Sequence, residues 1–67
     1  MKIDYADAIL KLRFKLNLSQ QELAKLLNVS FPSISRWENG HHEPTKLAKI
    51  RILELLKENN IEVKEVA

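Results

Sequence analysis

The chain contains no cysteine, one glycine, two prolines and one tryptophan among 67 residues. Without cysteine there is no disulfide and no thiolate metal site to staple the fold. Gly40 stands alone, so no glycine-rich loop exists to cradle a nucleotide phosphate. No stretch approaches the roughly 20 apolar residues of a membrane span. The opening Met-Lys-Ile-Asp-Tyr-Ala-Asp lacks the apolar region of a secretion signal. The expected location is the cytoplasm, which the absence of cysteine suits. No catalytic set is visible either, because the carboxylates fall at exposed positions or in one expected ion pair. An enzyme is not expected.

The length allows one domain, 1–67, and a domain this small buries only about 60% of the surface its unfolded chain exposes. Stability must come from apolar packing, from a partner chain, or from both. The net charge is +2, unevenly placed. Residues 1–51 hold nine Lys or Arg against five acids, whereas residues 52–67 hold two Lys against four Glu. A basic body with an acidic tail suits a polyanion on one side.

Four helices follow from caps and periodicity. Residues 4–16 form the first, with Asp4 as cap, Asp7 at the capping-box position and Ile3 stapled onto Ala8. Tyr5, Ile9, Leu12 and Leu16 make one apolar stripe, and Asn17 ends the helix with Leu18 folding back. Ser19-Gln-Gln-Glu22 is a capping box that starts a second helix over residues 20–27, which Asn28 ends. Ser30 caps a third helix, Phe31–Glu38, with Pro32 in its first turn and Asn39-Gly40 as stop. Residues 41–44 form a loop. Thr45 caps a fourth helix reaching Asn59, apolar nearly all round and therefore covered on more than one side. Residues 61–66 alternate partly at period two, which predicts a short extended tail.

The second and third helices, joined by a turn of three to four residues, make a helix-turn-helix over residues 20–40. Leu23, Leu27, Val29, Ile34 and Trp37 point into one core. Ala24 lies where the two helices cross, and Asn28 occupies a turn position that favours glycine. The runs Leu18-Ser-Gln-Gln-Glu-Leu-Ala-Lys-Leu-Leu-Asn-Val-Ser30, Ile34-Ser-Arg-Trp-Glu-Asn-Gly40 and Glu43-Pro44 resemble the Cro/C1-type (XRE) helix-turn-helix family of phage repressors and Cro proteins. The resemblance covers residues 5–56. It implies an all-α, four- to five-helix bundle of the lambda-repressor-like type, to which the extended tail is added here. It also implies double-stranded DNA as partner, with binding by a homodimer.

The same resemblance assigns the site. Phe31, Pro32, Ser33 and Arg36 match the positions facing the major groove. Gln20 matches a glutamine that contacts a phosphate and braces the reading helix, and Asn39 a phosphate-contacting asparagine. Arg13 and Glu38 match a buried ion pair. Ser19, His41, Lys46 and Lys49 are further phosphate candidates, although Lys46, Lys49 and Ser35 are equally well explained as solvated. Phe31 and Pro32 depart from the polar side chains usual at their positions. Neither makes a bidentate base contact, so Phe31 is left to touch a thymine methyl and Arg36 to hydrogen-bond guanine. His41 and His42 invite a metal, but adjacent loop residues seldom chelate one ion together, and structural zinc takes four ligands. No metal, cofactor, membrane or small-molecule effector is expected.

The expected function is a sequence-specific DNA-binding transcriptional regulator reading the major groove with Phe31–Glu38. Two alternatives stand beside it. One is an antitoxin or restriction–modification controller with autoregulatory binding. The other is a protein-interaction module on the same fold, to which Phe31 and Pro32 lend weight. Leu10 and Phe14 form a second apolar face on the first helix. Either a homodimer through the fourth helix and tail, with paired extended segments at residues 61–66, or the tail of the same chain covers this apolar excess.

Overall fold

The structure, a computed structural model, describes residues 2–66, so the ends of the expected 1–67 domain lie outside it. Its elements run β1 (Lys2–Ile3), α1 (Tyr5–Leu16), α2 (Gln20–Leu27), α3 (Phe31–Glu38), α4 (Lys46–Glu58) and β2 (Glu65–Val66). The four helices form an all-α bundle with a helix-turn-helix, the expected architecture, and no fifth helix occurs among the described residues. Among the described residues, no helix is long and apolar enough to cross a membrane.

Each helix starts and stops for a local reason. The Asp4 carboxylate accepts the Asp7 N–H at 3.1 Å and so caps α1. The capping box expected there does not close. The Asp4 N–H donates instead to the Lys64 carbonyl at 2.8 Å, and the Asp7 carboxylate pairs with Lys11 one turn on, at 3.0 Å. Asn17 adopts the left-handed conformation (φ 56°), and the Leu18 N–H returns to the Arg13 carbonyl at 2.8 Å. That pattern satisfies carbonyls that the end of a helix would otherwise strand. Asn28 repeats it (φ 58°), with the Val29 N–H donating to the Ala24 carbonyl at 2.9 Å. The Thr45 hydroxyl caps α4 by accepting the Ala48 N–H at 3.3 Å.

The core is one cluster drawn from all four helices. Ala8, Ile9 and Leu12 come from α1, Leu23, Ala24 and Leu27 from α2, Ile34 and Trp37 from α3, and Ala48, Ile52, Leu55 and Leu56 from α4. Tyr5, Leu16, Leu18, Val29, Leu53 and Ile61 seal its rim. Burying an aliphatic side chain of this size stabilises by about 1.5–3 kcal/mol, so without disulfides this cluster dominates the stability. α3 packs against both α1 and α2, and α4 closes the opposite side against α1.

The tail differs from expectation in two respects. Only Glu65–Val66 is strand, not the whole of residues 61–66, because Ile61 turns inward onto the core while its N–H donates to the Leu56 carbonyl at 2.9 Å. The strand also finds its partner within the chain: β2 runs antiparallel to β1, with Lys2 opposite Val66 and Ile3 opposite Glu65. The tail does not cover Phe14, which stays 72% exposed with the Arg13 guanidinium 5.6 Å from its ring centre.

Candidate nucleic-acid interface

The interface is assembled from the start of α2, the outer face of α3 and the loop that leaves it. The Ser19 hydroxyl accepts the Glu22 N–H at 3.1 Å, and Glu22 Oε1 accepts the Ser19 N–H at 2.9 Å. This reciprocal box holds the Glu22 carboxyl below its ordinary 4.5, chiefly through the Ser19 backbone N–H and then its hydroxyl. Asn28, Val29 and Ser30 make the turn, and Ala24, almost fully buried, lets α3 approach α2. Ser30 occupies the cap position of α3 but makes no side-chain bond to the helix backbone, contrary to its expected role. Its hydroxyl instead bonds that of Ser33 at 2.8 Å. At the far end only Gly40 (φ 75°) takes the left-handed turn. Asn39 remains right-handed, at φ −81°. The His41 N–H then donates to the Arg36 carbonyl at 3.1 Å and closes the helix.

Behind the reading face, one carboxylate gathers three helices. Arg13 Nε donates to Glu38 Oε2 at 2.9 Å, and Arg13 Nη2 donates to Glu38 Oε1 at 3.1 Å. Gln20 Nε2 donates to the same Oε1 at 3.1 Å. The Arg13 and Glu38 side chains are only 19% and 7% exposed. Arg13 therefore fixes α1, and Gln20 the start of α2, to the last residue of α3. One Gln20 amide hydrogen remains for another acceptor.

The opposite face of α3 is open. Ile34 and Trp37 turn inward, whereas Phe31, Pro32 and Arg36 are exposed, and Arg36 makes no ion pair among the described residues. Pro32 and Arg36 are four apart, hence on one face. Ser33 and Ser35 are half-buried at its edges. Asn39, His41 and Lys46 are exposed beyond the end of α3, and Ser19 is exposed before α2, although its hydroxyl is already used in the box.

Two groupings were not apparent in the sequence. Lys49 donates to Glu43 at 3.1 Å and lies 5.2 Å from the Tyr5 ring centre, which ties α4 to the loop and to α1. The Lys49 hydrogen bond lowers the Glu43 pKa from its ordinary 4.5. Lys49 is thus committed within the fold, which separates it from Lys46. The second grouping is a groove lined by Leu26 of α2 and Leu47 of α4 and flanked by Arg51. The only sequence signal for it was the apolar excess of α4.

Comparison with known families agrees with this geometry. The family profile described as Helix-turn-helix (HTH_3), of the Cro/C1-type or XRE kind, matches residues 9–59. The chain belongs to this family of DNA-binding helix-turn-helix domains. The matched domain fills most of the chain, as is typical of non-enzymatic regulators. No curated protein and no solved structure gives a significant match.

Proposed function

We propose that the chain is a sequence-specific transcriptional regulator that reads the major groove with α3 and acts as a homodimer. The observation that carries this reading is Arg36: exposed, without an ion pair among the described residues, and on the face of α3 opposite the buried Ile34 and Trp37. A guanidinium held this way suits bidentate bonding to guanine O6 and N7. Ser19, Gln20, Asn39, His41 and Lys46 flank it and would position the helix on phosphates, which fix register without specifying sequence. The proposed location of the chain is the cytoplasm.

The homodimer reading is supported by the outer face of α4, where Leu47 is 80% and Ile50 51% exposed. A two-fold axis lets one apolar patch serve both chains, and it sets two reading helices about 34–36 Å apart, one turn of DNA. β2 already pairs with β1 of its own chain, so the proposed interface rests on α4 and not on a ribbon of two tails.

Exposed Phe31 and Pro32 favour one competing reading, a protein-docking module. Titrating salt against binding to random duplex DNA separates the two. Phosphate neutralisation makes the logarithm of affinity fall linearly with the logarithm of salt. A steep fall supports the DNA reading. No duplex binding even at low salt overturns it.

A further inference from the structure

We infer that the first turn of α3 is a reader for the 5-methyl group of a pyrimidine, with Phe31 as the contacting side chain and Pro32 as the wall beside it. The inference rests on the DNA reading above and adds to it the chemical feature recognised. Phe31 opens α3 and keeps 44% of its surface in solvent, while Ile34 and Trp37 of the same helix are buried. It is therefore not a core residue. Pro32 beside it is exposed and has no N–H to offer. The Ser33 N–H goes to the Ser30 carbonyl at 3.1 Å, and the Ser30 and Ser33 hydroxyls bond one another at 2.8 Å.

The open part of this turn consequently carries no amide, carboxylate or guanidinium. Its two exposed side chains, Phe31 and Pro32, can discriminate bases only by shape and apolar contact, while the Ser30 and Ser33 hydroxyls are engaged with one another. In the major groove the one apolar feature on a base edge is the methyl on pyrimidine C5. Thymine carries it and so does 5-methylcytosine, while cytosine and uracil do not. Arg36 stands five residues beyond Phe31, roughly 7.5 Å along the helix. At about 3.4 Å per base pair, the methyl should lie within two or three base pairs of the guanine that Arg36 bonds. The half-site then pairs one apolar reader, at the start of α3, with one polar reader a little over one turn further along the helix.

The experiment uses a duplex recovered by selection from a random pool and replaces each thymine in turn with deoxyuridine, which removes only the methyl. One position per half-site should lose about fourfold in affinity, the loss for one buried carbon. In a second arm, 5-methyl-dC should bind better than dC at that position, so the arms separate thymine-specific recognition from recognition of the methyl itself. Phe31→Ala, at an exposed site that leaves the core intact, should weaken binding to the thymine duplex and abolish the dT/dU difference. Phe31→Leu should retain part of it. A deoxyuridine scan that is flat, or a dT/dU difference that persists unchanged in Phe31→Ala, overturns the inference while leaving the DNA reading standing. Failure to bind any duplex at low salt overturns both.

Discussion

Glu38→Ala removes the carboxylate on which Arg13 of α1 and Gln20 of α2 converge, and leaves the guanidinium without its partner. Breaking a fully buried ion pair from one side costs about 3–5 kcal/mol. Here Arg13 keeps 19% of its side-chain surface in water and so recovers part of its hydration. The Leu18 carbonyl, at 3.5 Å, is a poor substitute acceptor. We expect a loss of about 2–4 kcal/mol. At roughly 0.05–0.15 kcal/mol per residue, a chain of this length has about 3–10 kcal/mol in all, and the melting temperature should fall by about 10–25 °C. Thermal and urea unfolding followed by circular dichroism measure this directly. Arg13→Met combined with Glu38→Leu should regain much of the loss, because an apolar pair leaves no stranded charge. A Glu38→Ala melt within about 2 °C of the parent, or a double variant no better than the single, would refute the reasoning.

Asn39→Ala should weaken binding to all duplexes by a similar factor, as loss of a phosphate contact does; selection with this variant would contradict the assignment by returning a changed consensus. Leu47→Glu or Ile50→Glu should leave the melt nearly unchanged, since both side chains are exposed, yet shift the mass in sedimentation from dimer to monomer. A parent chain that is monomeric at high concentration would remove the proposed interface. Glu22 and Glu43 both have folded pKa values below 4.5, so the stability they contribute is complete above that pH and is lost as pH falls through the lower folded values. Glu22→Gln keeps a capping-box partner but cannot titrate. It should therefore lose less stability than the parent between about pH 5 and pH 3, and an unchanged pH profile would exclude Glu22 from the acid response.

Much of this fold was legible because its signals are local. Ser19 and Glu22 predicted a capping box, Asn17 and Asn28 predicted left-handed stops, and the stripe Ile9, Leu12, Leu23, Ile34 and Trp37 predicted the core. Most signals that failed depend on partners distant in sequence. Two-residue strands are too short for any periodicity, so nothing announced β1. Its capture of Glu65–Val66, with the Asp4 N–H donated to Lys64, is what kept the α1 capping box from closing. Ser30 fits an N-cap by type, but a nearby hydroxyl on Ser33 competed for it. At the candidate site, the resemblance named the exposed positions on α3 and the pair of Arg13 with Glu38, but not the donation of Gln20 to the same carboxylate. Nor did it give the engagement of Lys49 with Glu43 and Tyr5, because those contacts exist only once α1 and α4 have packed.

The central claim is that the outer face of α3 reads bases. Parallel selections from one random duplex pool, with the parent chain and with Arg36→Ala, test it most directly. The account predicts a two-fold symmetric consensus for the parent and loss of a guanine preference at one position per half-site in the variant. The remaining positions should be unchanged, and specific affinity should be lower by about 1–3 kcal/mol. An identical consensus from both proteins, or no enrichment by the parent, would contradict it.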